Sequence, residues 1–222
     1  MPSTSVTSSQ AEVRSTPLAE GAGGGGRLIL RSRGWVAPLC WIAVLLDGFD
    51  AAALGAAMPK LTDDPTMNVT NANGTWLLTA SLIGMTIGAL AMGWLTDRLG
   101  RRRLLMAAVL TFSVLTFVTG FATEAWHIGV LRFFAGLGLG GCLPTAISMV
   151  TEFARRGRSA NATTMVMTGY HVGAVITSLL ALWAAAQTTD GWRILFWLGG
   201  APALVLLPLM LRYLPELSLI HI

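Results

Sequence analysis

The chain has 222 residues, of which 54% are hydrophobic and 12% charged, with a mean hydropathy of +0.64. An ordinary soluble domain carries about 25% charged residues, so the composition excludes that class and points to a polytopic membrane protein. The formal net charge of +4 does not indicate a nucleic-acid partner, because the basic residues sit in short clusters between apolar runs rather than along one face or arm.

Residues 1–33 are rich in Ser, Thr, Ala and Gly and end near the run Gly23 to Gly26. With too few large apolar side chains to build a core, they are expected to form a disordered cytoplasmic tail. A cleavable signal peptide is disfavoured, since the first apolar segment comes late and is too long for an h-region.

Six apolar runs follow: Trp35 to Met58, Thr75 to Leu95, Leu104 to Ala122, His127 to Val150, Asn161 to Ala185 and Trp192 to Tyr213. Each is long enough to cross a bilayer as a helix, for which about 20 residues are needed. The expected fold is therefore an all-α membrane protein of six transmembrane helices, over 34–216. Arg14, Arg27, Arg31, Arg33, Arg98, Arg101, Arg102, Arg103, Arg155, Arg156, Arg158 and Arg212 would fall on one side and only Lys60 and Arg193 on the other. Cytoplasmic loops carry the positive excess, which places the N-terminus inside. Trp35, Trp126 and Trp192 lie at span ends, where amphipathic rings favour the interface.

The first run contains two carboxylates, Asp47 and Asp50. An aspartate at the bilayer centre costs about 2.5–3.5 kcal/mol on insertion scales, so the pair needs a partner, a proton or water. Spacing of i and i+3 puts both on one helix face and suggests a site for protons or substrate. Arg132 lies about 8 Å below the outer surface and Asp50 about 12 Å below it at ~1.5 Å per residue, depths compatible with a pair. Arg132 either faces the same cavity as Asp50, neutralising it or holding an anionic substrate, or snorkels to the outer headgroups. Tyr170 and His171 lie within the fifth span, where they are either cavity residues on a proton or substrate path or hydrogen-bonded packing residues. Cys40 and Cys142 have no CxxC or His pattern beside them and are expected to be apolar packing residues without metal or redox roles. No Walker loop suggests ATP drive.

Between the second and third spans the chain reads Gly93-Trp94-Leu95-Thr96-Asp97-Arg98-Leu99-Gly100-Arg101-Arg102-Arg103, and the fourth span begins Arg132-Phe133-Phe134-Ala135-Gly136-Leu137-Gly138-Leu139-Gly140-Gly141. These stretches resemble the G-x-x-x-D-R-x-G-R-R loop and the R-F-x-x-G-x-G-x-G-G segment of the major facilitator superfamily. The topological explanation covers the arginines alone; it leaves Gly93, Asp97 and Gly100 at those spacings unexplained. The resemblance implies the N-terminal half of that fold, with a cytoplasmic gating latch of Gly93, Asp97, Arg98, Gly100, Arg101 and Arg102. In such a latch the aspartate meets a helix N-terminus of the other half. Gly84, Gly88, Gly136, Gly138, Gly140, Gly169 and Gly173 fit close helix packing, since i, i+4 glycines let backbones approach.

The Asp47-Gly48-Phe49-Asp50 stretch, with the two segments above and Leu214-Pro215-Glu216 after the sixth span, narrows the resemblance to the aromatic acid:proton symporters, while nicotinate-type carriers share a similar first helix. It implies import of small organic acids with protons across a bacterial-type inner membrane, driven by the proton gradient with no cofactor or metal. Asp47 and Asp50 would then take part in proton coupling or substrate handling, with Arg132 suited to a carboxylate. A carrier for another metabolite, an exporter, an intramembrane enzyme and a symmetric dimer of the half chain are the alternatives. The family has two six-helix halves, and residues 217–222 break its expected continuation. They are read as a non-native tail left by truncation of a longer gene, whose C-terminal half would be the missing partner.

Overall fold

A computed structural model describes residues 25–154, 159–187 and 190–214. The described residues form six helices: α1 (Gly25–Asp63), α2 (Asn71–Leu99), α3 (Arg101–Thr119), α4 (Ala125–Phe153), α5 (Ser159–Gln187) and α6 (Gly191–Tyr213). All six contain stretches long and apolar enough to span a membrane. The helix α1 starts at Gly25, well inside the stretch whose composition suggested a tail. The physical reason is that Arg27 to Arg33 holds good helix formers, and extending an existing helix avoids the cost of nucleation. The rest of that tail, residues 1–24, and the suggested non-native residues 217–222 lie outside the described residues.

Short connections make neighbours antiparallel, and glycines decide which non-neighbours pack closely. On α2, a Cβ at Gly84 or Gly88 would collide with the carbonyls of Phe133 and Leu137 on α4. On α5, a Cβ at Gly173 would collide with the carbonyl of Leu45 on α1. The reciprocal approaches match, since Gly48 of α1 abuts the Tyr170 carbonyl while Gly136 of α4 abuts that of Ser81. Thus α1 lies along α5 as α4 lies along α2, the relation expected of an inverted three-helix repeat. Helices α3 and α6 close the opposite side, joined at Gly200, which sits against the backbone of Phe117, and at Gly120 beneath Trp197. Gly100, with φ of 81°, makes the sharp turn from α2 to α3.

The buried apolar residues fall into two clusters. One, toward the end holding the α2–α3 turn, includes Val36, Val109, Phe112, Cys142, Met149 and Met210. The other includes Leu54, Leu61, Leu77, Ile128, Trp192 and Phe196. Between them lies a layer of buried polar side chains, Asp47, Asp50, Thr116, Arg132 and Thr177. Helices α2 and α5 keep long apolar faces exposed, with Leu90 75% and Leu182 72% accessible.

Candidate functional site

The polar layer is built from four helices. From α4, Arg132 points into the bundle with only 1% of its side chain exposed, and Asp50 of α1 meets it at 0%. Arg132 Nη1 donates to both carboxylate oxygens of Asp50, at 2.9 and 3.0 Å. Its Nη2 donates to Thr116 Oγ1 of α3 at 2.6 Å, with a longer contact of 3.5 Å to Thr119 Oγ1. The Thr116 hydroxyl in turn donates to Asp50 Oδ1 at 2.7 Å. The Phe196 ring of α6 lies 5.2 Å from the guanidinium carbon, within reach of a cation–π contact. Such a buried pair is tolerable because the ion pair and the hydrogen bonds to both Nη atoms are made together. Of the three guanidinium nitrogens, only Nε is buried without a partner among the described residues.

The structure therefore joins Asp50 to Arg132, and it corrects the snorkelling alternative: the arginine turns inward and does not reach the rim. The donors suited to a substrate carboxylate are already engaged by Asp50 and Thr116 in this conformation.

Asp47 is set differently. It is as buried as Asp50, at 2% exposure, yet its Oδ1 has no hydrogen-bond partner among the described residues. Its electrostatic neighbours are Asp50, Cys142 of α4 and Tyr170 of α5, none of them a cation. Both cysteines are buried and unpaired. Tyr170 is half-buried and packs edge-on against His171, with centroids 5.8 Å apart. His171 is exposed on the open face of α5. Tyr170 thus stands beside Asp47, whereas His171 is not brought into the polar layer.

At the end holding the α2–α3 turn, Arg101 of α3 forms an ion pair with Glu152 of α4. Arg102 Nη2 donates to the Leu211 carbonyl at the end of α6, at 2.6 Å, where a cation also meets the helix dipole favourably. Arg98 lies over the Trp94 ring at 4.0 Å. The Asp97 side chain falls outside the described residues. A Cβ added at Gly93 would meet nothing within 4 Å, so no contact among the described residues requires its small size.

At the opposite end, Asp64 accepts from the Thr66 amide at 2.9 Å, the Thr66 hydroxyl at 2.6 Å and the Trp192 indole at 3.3 Å. Burial pushes this carboxyl upward, but the Thr66 and Trp192 hydrogen bonds and the nearby Arg193 charge outweigh it and hold it below the ordinary carboxylate value. Arg193 Nη1 donates to the Gly120 and Ala122 carbonyls at 3.0 and 2.8 Å, past the end of α3. Neither this clasp nor Thr116 is marked in the sequence. Thr116 looks like any threonine in an apolar run, and only the geometry of three helices together reveals its partners.

Six apolar helices thus surround a buried carboxylate–guanidinium pair, beside a second buried carboxylate whose Oδ1 has no partner among the described residues. The Major Facilitator Superfamily model matches residues 40–218, and the chain belongs to that superfamily. It is 34% identical over 178 residues to a gallate transporter of Pseudomonas putida, covering 80% of this chain and 39% of that protein. It is 35% identical over 178 residues to the 4-hydroxybenzoate transporter PcaK of Pseudomonas aeruginosa, again covering 80% and 39%. A gentisate transporter of Corynebacterium glutamicum is 33% identical over 177 residues, covering 79% and 39%. The chain thus spans about two fifths of the length of these curated relatives and corresponds to an N-terminal half. Among solved structures, the partially occluded inward-open xylose transporter XylE of E. coli superposes with a TM-score of 0.73 at 20% identity, covering 83% of this chain and 50% of that one. The inward-open form gives 0.69 at 21% identity, covering 83% and 48%. These likenesses show the fold.

Proposed function

We propose that the full-length protein is a proton-coupled symporter that imports aromatic or related organic acids across an inner membrane by alternating access, with the N-terminus cytoplasmic. The observation that carries this reading is the unequal treatment of two buried carboxylates one turn apart. Asp50 has Arg132 as counter-charge, so its ionised form is compensated. Asp47 has none among the described residues, so it is the carboxyl suited to bind and release a proton as the site changes its exposure. Proton binding at Asp47 would bias the conformational equilibrium through differential affinity for the two states. The substrate class rests on the gallate, gentisate and 4-hydroxybenzoate transporters.

In this scheme the second six-helix half covers the exposed faces of α2 and α5 and supplies the other wall of the substrate site near mid-membrane. Tyr170 sits beside Asp47, where an aromatic ring would be held, whereas His171 stays on the exposed face of α5. Because Arg132 is engaged internally, it acts by holding Asp50 neutralised in this conformation, and meets the substrate carboxylate only if the pair opens during the cycle. The proton gradient supplies the energy, with no metal or cofactor.

The test is uptake of labelled benzoate and 4-hydroxybenzoate by cells carrying the full-length gene, with and without a protonophore. Accumulation that collapses with the gradient is expected; uptake indifferent to it would overturn symport, and efflux of preloaded acid would make the protein an exporter.

A further inference from the structure

Resting on the preceding reading, we infer that Thr116 is a positioning residue: its hydroxyl selects Asp50 over Asp47 as the partner of Arg132, and so fixes which of the two aspartates carries the proton.

One arginine serves a helix face that bears two carboxylates at i and i+3, side chains that are neighbours on a helix surface. Charge alone does not choose between them. Around Asp50 stand Arg132 from α4, Thr116 from α3 and the Phe196 ring from α6. Around Asp47 stand Cys142 of α4 and Tyr170 of α5, together with the Asp50 carboxylate. Thr116 is the polar group that distinguishes the two settings. Its Oγ1 uses its one proton toward Asp50 Oδ1 at 2.7 Å and accepts from Arg132 Nη2 at 2.6 Å. A hydroxyl has one donor and two acceptor lone pairs, so this use closes a three-membered ring of carboxylate, guanidinium and hydroxyl. With that ring closed, Arg132 presents Nη1 to Asp50 and has no bond to Asp47. Removing the hydroxyl strips one charge-assisted bond from each ion and leaves the arginine to be shared.

The infrared band of protonated carboxyl groups in the purified full-length protein tests this directly, since replacing an aspartate by glutamate keeps the charge and moves the band of that residue alone. In the native protein the pH-dependent band should move with Asp47→Glu and stay in place with Asp50→Glu. In a Thr116→Val background both substitutions should move part of it, and Thr116→Ser should restore the native assignment. Thr116→Ala, which adds no new group, repeats the measurement if the valine variant does not reach the membrane. Driven uptake should fall about tenfold or more in Thr116→Val, which loses a hydrogen bond to each of two charged groups, and recover in Thr116→Ser. A band that follows Asp47 alone in the valine and alanine backgrounds, or that already follows Asp50 in the native protein, overturns the inference. Absence of aromatic-acid uptake by the native protein would instead remove the functional reading, and the infrared assignment would still decide the role of Thr116.

Discussion

Asp50 and Arg132 form a buried ion pair, so removing one partner should be far worse than removing both. Arg132→Ala leaves a buried uncompensated carboxylate and is expected to cost about 3–5 kcal/mol, read as a lower unfolding temperature in detergent. Arg132→Lys should rescue only part of this, because a single ammonium cannot present separate planar donors to Asp50 and Thr116. The double substitution Asp50→Asn with Arg132→Gln should recover more stability than either alone while abolishing driven uptake. Asp64 contributes stability that depends on pH. Its folded value lies below the unfolded one, so its contribution is full above the unfolded carboxylate value of about 4 and is lost as pH falls through the lower folded value. Asp64→Asn should therefore lower the melting temperature at neutral pH, by the equivalent of about 1–3 kcal/mol, and the native and variant melts should converge under strong acid.

At the scale of the helix, glycines divide into two kinds. Gly84 and Gly88 sit against carbonyl groups of α4, with no flexible side chain to yield, so alanine there must push α2 off α4 at a cost of about 1–3 kcal/mol each. Gly55 and Gly93 have open space where a Cβ would go, and alanine should stabilise the isolated half-bundle by up to about 1 kcal/mol through helix propensity. Melts of the half chain check both. If Gly93→Ala stabilises the half chain yet impairs transport by the full-length protein, the demand for a small residue comes from outside this bundle. The helices themselves were legible in the sequence because length and hydropathy fix them in a bilayer, and the Asp50–Arg132 pair was legible because two unlike charges sat at matching depth. The closed state of that pair was not, since Thr116 and Phe196 come from α3 and α6 and carry no local signal. Nor was the helical start at Gly25, where glycine-rich composition masked a run of helix formers. For Asp97, the sequence pattern remains the source of its assigned latch role.

At the scale of the molecule, the contrast between α3 and α6, which close one side, and α2 and α5, which stay largely exposed, sets where the rest of the protein belongs. Photo-crosslinking side chains placed at Leu90 and Leu182, 75% and 72% exposed, should capture lipid in the half chain and polypeptide from the remainder in the full-length product. Capture of lipid at both positions in the full-length protein would move the second half elsewhere.

The division of the interior into two apolar clusters with a polar sheet between them also bears on assembly. Helices inserted one by one meet in a solvent as oily as their own side chains, so Leu, Val and Ala contacts discriminate weakly between one vertical alignment and the next. A slip of one turn moves a helix by about 5.4 Å. Either cluster could absorb such a slip by exchanging one aliphatic contact for another, but Asp50, Thr116 and Arg132 meet only when α1, α3 and α4 stand at a single relative height. The mid-membrane ring thus serves as an index mark for the growing bundle, and variants that lose it should yield misaligned, protease-sensitive helix packings even where insertion and span number are normal.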